Sequence, residues 1–404
     1  MKDRERGGPP LTATRTDYDV IVLGGGLVGL ALATALARES IEVALIERGP
    51  LQCFAEPADA EDWDSRVYAI SPGSADFLRA VGAWQRLPAE RLAAIEMMDV
   101  RGDGDGAIAF SAYELGERAL AWIVEHRQLT SALVESVRTA EHVDVLAPSQ
   151  PTTVAWRSDA ALITLSEGRS VSARLLVGAD GVRSWVRREA GMTREPRAYG
   201  QTAVVANFTI EHSHRGRAFQ RFRDGEGVLA WLPLPGRRIS MVWSAPDALA
   251  GELVALDAAA LATRVSAAGE GALGALTLIT PPAAFPLSFL RLPSVVSSRL
   301  ALVGDAAHGV HPLAGQGVNL GFGDTATLAA VLSAGRPIGD VGAALLLERY
   351  ARKRAGPVLA MQLVTDGLVR LFESPALKRL RNGGMRAVAA IAPVRRVLAQ
   401  SALR

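Results

Sequence analysis

The chain has 404 residues, 49% of them hydrophobic and 21% charged, which is enough apolar material for a large core and excludes a chain disordered throughout. Its 44 basic and 42 acidic residues leave a formal charge of +2, so the balance gives no reason to expect a nucleic-acid partner. The single cysteine, Cys53, excludes an internal disulfide framework and any Cys-x-x-Cys zinc or redox site.

At about 150 residues per domain, this length suggests two to three domains, or one large α/β unit carrying an insertion. Residues 1–16 read as a flexible tail, charged and then Gly/Pro-rich. They lack the apolar core of a secretory signal, so a cytoplasmic protein is the expectation. Residues 19–23 (DVIVL) form a short buried strand, residues 27–38 an Ala/Leu-rich helix, and residues 42–47 (EVALIE) a second strand: a βαβ unit within about 30 residues. The 18 uncharged residues from Val20 to Ala37 are long enough for a membrane span, but Gly24, Gly25, Gly26 and Gly29 break them where a strand turns into a helix.

Residues 54–66 read as a polar loop, with helices near 73–81 and 127–139. Residues 101–106 (RGDGDG) make a turn between two strand-like stretches. Strands dominate 152–177 and 200–245, where GVLAWLPL and ISMVWS are the clearest; Trp231 and Trp243 read there as core or cavity wall. Residues 299–303 (RLALV) are a further buried strand. From Val318 onward the chain is mostly helical, and no repeat of 20–50 residues is visible.

Gly24-x-Gly26-x-x-Gly29 sits at the turn of the βαβ unit. The first glycine permits the tight turn, the second lets backbone approach a pyrophosphate, and the third lets helix pack on strand. With 39 glycines, about 0.4 chance matches are expected in such a chain, so the context decides. A strand precedes the motif, a helix follows, and Glu47 closes the second strand where it can hold a ribose hydroxyl pair. Arg48 reads as a solvated charge. Only one such motif is present, so a second nucleotide has to dock differently. The expected architecture is α/β: a Rossmann-like nucleotide-binding domain in discontinuous segments (17–98, 118–186 and 293–345), an inserted β-sheet substrate domain (99–117 and 187–292), and a helical C-terminus (346–404).

Two further segments follow buried strands: Gly178-Ala179-Asp180-Gly181-Val182-Arg183-Ser184, and Gly304-Asp305-Ala306-Ala307-His308, which continues to Gly321 through Pro312 and the run Gly315-Gln316-Gly317-Val318-Asn319. In this order with the glycine motif, they resemble the class A flavoprotein monooxygenases, which share the fold of para-hydroxybenzoate hydroxylase. Residues 64–71 (DSRVYAIS) and 122–127 (WIVEHR) are similar to the ubiquinone-biosynthesis hydroxylases within that class. The resemblance runs from about residue 18 to the C-terminus. It implies tightly bound FAD, with NADPH or NADH as a transient co-substrate. Asp305 is then a ligand of an FAD hydroxyl, Asp180 and Gly181 belong to a motif shared between FAD and the nicotinamide nucleotide, and Arg66 and Arg127 contact the FAD phosphates or the flavin side. Arg183 suits a phosphate and a surface ion pair equally. Independently of any family, Pro312, Gly315 and Gly317 precede an Ala/Leu-rich helix, whose free N–H groups at 315–319 stabilise negative charge on a flavin. His308 and His311 have no acidic or cysteine partner that completes a metal site, so no metal is expected.

The reaction this resemblance implies is ring hydroxylation of a polyprenylated phenol in ubiquinone biosynthesis, using NAD(P)H and O2 through a flavin C4a-hydroperoxide. No residue stands out as a catalytic acid or base. Alternatives are a flavin reductase of isoprenoid chains and a non-catalytic flavin-fold accessory subunit. Many family members carry arginine just before Asp324; this chain has Gly323, which leaves the ring position open. Between 370 and 404, Arg370, Lys378, Arg379, Arg381, Arg386, Arg395, Arg396 and Arg404 face a single acid, Glu373. That basic amphipathic pattern suits a peripheral contact with a membrane or a partner complex, and equally a solvated helix. Oligomeric state, a homo-oligomer included, is open.

Overall fold

The computed structural model describes residues 16–54, 62–391, 393, 395 and 396. Residues 1–15 of the expected tail, residues 55–61 of the expected loop and Arg404 lie outside these. The fold is the α/β architecture expected of an FAD-binding monooxygenase.

Strand β1 (Tyr18–Leu23), helix α1 (Leu27–Arg38) and strand β2 (Val43–Ile46) form the anticipated βαβ unit. Five strands run parallel in the order Leu300–Leu302, Ser170–Gly178, β1, β2 and Val143–Leu146. Val20, Val22, Val43 and Leu45 point to one face, where they pack against α1 and the helices His126–Arg138 and Gly317–Ala334. Ile21, Ala44 and Ile46 point to the other, under the hairpin Pro151–Trp156 and Ala161–Leu165. Burial on both faces is why these strands read as unbroken apolar runs. The 18-residue uncharged stretch is therefore β1, a turn and α1. No helix among the described residues is long and apolar enough to cross a membrane.

A nine-stranded sheet forms the second layer, with Arg197–Ile210, Arg238–Pro246, Gly227–Leu234 and Arg217–Arg223 adjacent in that order. Its outer face carries Phe208, Trp231, Met241 and Trp243 beneath the helices Asp247–Ala255 and Ala258–Ala268, so both tryptophans are core. These two helices were not visible in the sequence. A small sheet of Val67–Ile70, Ala121–Glu125 and Ala93–Ile95 bridges the two layers.

The RGDGDG turn joins Met97–Arg101 to Ala107–Ser111 as expected, and it also holds the C-terminal helix Lys378–Ala390. Asn382 accepts the Gly106 N–H through Oδ1 (3.0 Å) and donates to Asp103 through Nδ2 (2.8 Å). Arg381, buried, pairs with Asp103, and Arg386 pairs with Asp105. A Cβ at Gly102, Gly104 or Gly106 would lie 2.4–3.0 Å from Asn382 atoms, so the glycines are needed for this contact. Part of the basic C-terminal charge is thus neutralised inside the molecule rather than displayed.

Candidate cofactor and substrate site

The strand register brings the separate motifs to one edge. Leu23 lies opposite both Ile46 and Gly178, and Gly178 lies opposite Leu302. The next residues of each strand, Gly24, Glu47, Ala179 and Val303, therefore meet at the carboxyl ends of the parallel strands, where open α/β sheets bind ligands. Gly24 N–H donates to Ile46 O, Ala179 N–H to Leu23 O, and Val303 N–H to Gly178 O, at 2.8–3.0 Å.

The three fingerprint glycines have different duties. Gly24 has φ +115°, and a Cβ there would lie 2.4 Å from Ala179 O. A Cβ on Gly29 would lie 1.9 Å from Gly24 O. Around Gly26 a Cβ would meet nothing within 4 Å. Gly26 is the N-cap of α1 and no side chain caps that end, so the first N–H groups of the helix face an open cradle suited to a pyrophosphate. Glu47 stands beside it: Oε2 accepts the Gly25 N–H (2.6 Å) and Oε1 the Gly49 N–H (3.1 Å). Each oxygen keeps a lone pair for a ribose hydroxyl. Arg48 is exposed, as expected of a solvated charge. The residues present thus fit a dinucleotide on observations of this structure alone.

Asp180 caps the short helix Trp185–Glu189, accepting the Ser184 hydroxyl and the Val186 N–H (3.0 Å). Gly181 follows in the left-handed region at φ +78°. Arg183 is exposed. Sequence reasoning missed Arg187, which is fully buried and donates to Val182 O (2.8 Å) and Ala306 O (3.1 Å). It ties the Asp180 loop to the Asp305 loop.

Asp305 remains open to solvent although protein surrounds it on most sides, which places it on the floor of a recess; enclosure raises its carboxyl pKa above the usual range, opposed by His308 and Arg66. Gly304 before it has φ +59° and donates its N–H to Asp324 Oδ2 (2.9 Å). Asp324 is the centre of a buried network: His308 Nε2 lies 2.6 Å from Oδ2, and Arg354 Nε donates to Oδ1 at 2.7 Å. Burial pushes the Asp324 pKa up, but His308, Arg354 and the Gly304 N–H outweigh it and hold the carboxyl below its ordinary value. Arg354 also accounts for Gly323: a Cβ there would lie 3.0–3.2 Å from the Arg354 guanidinium. His311 belongs to another network, with Nε2 2.9 Å from Gln201 Oε1.

Pro312 opens a single turn that ends at Gly315 (φ +61°), and helix Gly317–Ala334 follows with no side chain capping it at Gln316. The N–H groups of Gly317, Val318 and Asn319 therefore have no helical acceptor. The Asn319 side chain serves the scaffold: Oδ1 accepts Ser71 N–H (3.0 Å) and Nδ2 donates to Ala69 O (2.8 Å). It anchors the helix to the strand of the DSRVYAIS stretch.

Asp64 joins the two short stretches of the resemblance. Its Oδ1 accepts the Arg66 N–H and its Oδ2 the Arg127 N–H, both at 2.9 Å. The Arg66 guanidinium lies over the rings of Tyr68 (5.3 Å) and Phe285 (5.2 Å), linking the small sheet to the large one. Arg127 pairs with Asp62 at 2.8 Å. Buried Glu125 accepts the Asp64 N–H and two hydrogen bonds from Arg91, whose guanidinium sits 4.0 Å from the Trp63 ring centre. Neither Arg91 nor Glu125 was singled out in the sequence; both partners are distant in the chain.

Facing this cleft is the inner surface of the nine-stranded sheet. Ala230 and Val242 lie on interior strands and on the face away from the covering helices, yet they are only half-buried. This face of the sheet therefore keeps apolar surface that no packed element fully covers.

A parallel-sheet edge that gathers a glycine cradle, the Glu47 carboxylate and a second uncapped helix N-terminus suits a flavin dinucleotide, and the chain's relatives make it a flavin-dependent monooxygenase. The chain matches the family described as FAD binding domain over residues 17–365 and belongs to it. It is 36% identical over 401 residues to Ubiquinone hydroxylase UbiL of Rhodospirillum rubrum, covering 98% of this chain and 92% of that protein. It is 34% identical over 434 residues to the human mitochondrial Ubiquinone biosynthesis monooxygenase COQ6, covering 95% and 92%. Among solved structures, Pseudomonas aeruginosa PqsL in complex with 2-aminobenzoylacetate has a TM-score of 0.76 at 24% identity, covering 92% of this chain and 99% of that one.

Proposed function

We propose that the protein hydroxylates the ring of a polyprenylated phenol in ubiquinone biosynthesis, taking electrons from NADPH or NADH and oxygen from O2. The observation that carries this reading is the half-buried apolar surface of Ala230 and Val242 on the face of the large sheet away from its covering helices. Full-length similarity to proteins named for ubiquinone hydroxylation supports it. FAD supplies the redox and oxygen-transferring chemistry when bound.

The chain's own residues hold and orient. Gly26 and the α1 N-terminus take the pyrophosphate, Glu47 a ribose, Asp305 a further FAD hydroxyl, and the N–H groups at 317–319 the electron-rich edge of the flavin. Asp180 and Gly181 border the path of the nicotinamide nucleotide. Arg66, stacked between Tyr68 and Phe285, closes one side of the cleft, while Arg127 supports it through Asp62. The apolar surface of the large sheet excludes water from the reacting ring. Exposed Leu363, Leu377, Arg379 and Leu380 on the C-terminal helices form the peripheral contact to a membrane or partner complex.

The test is gene deletion followed by mass spectrometry of the quinone pool. Loss of ubiquinone with accumulation of one under-hydroxylated prenylphenol is expected, and it identifies the ring position. An unchanged pool in a strain without a redundant hydroxylase overturns the assignment. Incorporation of oxygen-18 from labelled O2 separates the hydroxylase from a reductase of isoprenoid chains.

A further inference from the structure

One polar side chain interrupts the apolar surface of the large sheet. Across the inner face of the large sheet, Ala283, Val205, Val242, Ala230, Gln220 and Val100 stand side by side in register on consecutive strands. Because side chains alternate along a strand, all six project to the same face, toward the layer that carries the motifs.

The rows on either side are covered. Phe222 and Val228 are packed under Leu313 and Val369. Ala218 and Leu232, which faces it across the strands, pack with Trp63 and Ile123. Between these two clusters Val242 and Ala230 keep accessible surface in the middle of a nine-stranded sheet. The middle row is therefore the floor of a slot. It starts beside Ala283, two residues from the Phe285 ring on which Arg66 stacks, and runs across the sheet to Val100.

Gln220 is the only residue of the row that can donate or accept a hydrogen bond through its side chain. It is 5% exposed, and no hydrogen bond to its amide is formed within the described residues. The amide is not among the fully buried unpartnered groups, so what surface the residue keeps lies at its polar tip, open toward the slot. Of the neighbouring buried polar residues on this face, Asn207 donates its amide to Asp64 O at 2.8 Å, while its Oδ1 and the Ser240 hydroxyl have no partner among the described residues.

We infer that Gln220 is a specificity-determining residue, which hydrogen-bonds an oxygen substituent on the aromatic ring that enters the slot. An amide suits this duty because it accepts from a phenolic hydroxyl and donates to an ether or carbonyl oxygen with equal ease. The small Ala and Val side chains of its own row admit a planar ring and an apolar chain and offer no other polar contact within that row. The inference deepens the hydroxylase reading and rests on it.

The experiment uses the FAD-loaded enzyme and two probes that differ by one group, a geranylated phenol and geranylbenzene. Binding is followed by the change in flavin absorbance, so it is measured whether or not the ring is turned over. Gln220→Met keeps length and volume and removes the amide. The expected result is about tenfold weaker binding of the phenol with unchanged binding of geranylbenzene. The melting temperature should stay the same, since the amide makes no hydrogen bond within the described residues; a glutamine that only holds the sheet together would lower it. In turnover, the variant should release more hydrogen peroxide per nicotinamide oxidised, as a loosely held ring misses the oxygen. Equal phenol binding by wild type and Gln220→Met, or a melting temperature lowered with both probes weakened alike, overturns the inference. Wild type that binds the phenol without hydroxylating it refutes the proposed reaction while leaving the Gln220 result standing; wild type that binds neither probe refutes both.

Discussion

Exchanging each fingerprint glycine for alanine separates the glycines that build the turn from the one that serves a ligand. Gly26 has φ −76° and ψ 179°, backbone that any residue adopts. Alanine there restricts the unfolded chain, which stabilises by about 0.4–1 kcal/mol. Alanine is also a poorer N-cap than glycine, which costs about 0.5–1 kcal/mol. The two offset, so apo Gly26→Ala should melt like wild type, within about 0.5 kcal/mol. FAD binding should respond differently. The new Cβ enters the space, empty of protein for 4 Å, into which the pyrophosphate must pack. Overpacking of that kind costs about 1–3 kcal/mol, or about 5- to 150-fold in affinity. Gly29→Ala places its Cβ 1.9 Å from Gly24 O, a backbone atom held by the turn, and should cost the apo protein about 3 kcal/mol or more. The assays are thermal melting of apo protein and titration of FAD by quenching of its fluorescence. An apo Gly26→Ala that melts several degrees lower, or that binds FAD as wild type does, refutes the reasoning.

The buried network around Asp324 gives a second expectation. Asp324→Asn removes the charge facing Arg354 and His308, both buried, and should cost about 3–5 kcal/mol in urea unfolding. His311 gives a pH dependence. Burial lowers its pKa from 6.5 to about 4, against a weaker upward pull from Asp366. The unfolded chain therefore binds this proton more readily, so stability is full above about pH 6.5 and falls by about 3 kcal/mol as pH drops to about 4. His311→Gln should remove that component, read as the difference between the two stability–pH curves; parallel curves contradict it. Asn382→Ala loses the bonds to Gly106 and Asp103, and hydrogen exchange should quicken in residues 97–111 and 378–390 together. Gly323→Ala should gain nothing in wild type, where its Cβ presses on Arg354. In an Arg354→Ala background it should stabilise by about 1 kcal/mol, the ordinary helix preference.

What was legible in the sequence is what short-range pattern encodes. Strand β1, the glycine turn, α1 and β2 follow from apolar runs and three glycines within 30 residues, and the GADG and GDAA segments follow buried strands in the same way. What was illegible depends on partners far apart in the chain. Arg91 meets Glu125 across 34 positions, Arg187 meets Ala306 across 119, and Asn382 meets Gly106 across 276. No periodicity reports such pairs. The basic C-terminal segment shows the consequence. Read alone, its arginines are a charged surface. Folded, Arg381 is buried against Asp103, and the acids that neutralise it belong to a turn that looked like simple punctuation. Gly323 follows the same logic. In the linear sequence it stands as a missing arginine beside Asp324. In the fold an arginine does reach that aspartate, from 30 residues further on, and the glycine is the space it needs. A departure from a family motif therefore says little about function until the partner of the departing position is known in three dimensions. Here that partner supplies a positive charge that keeps Asp324 ionised, and Asp324 in turn holds the Gly304 N–H, next to Asp305.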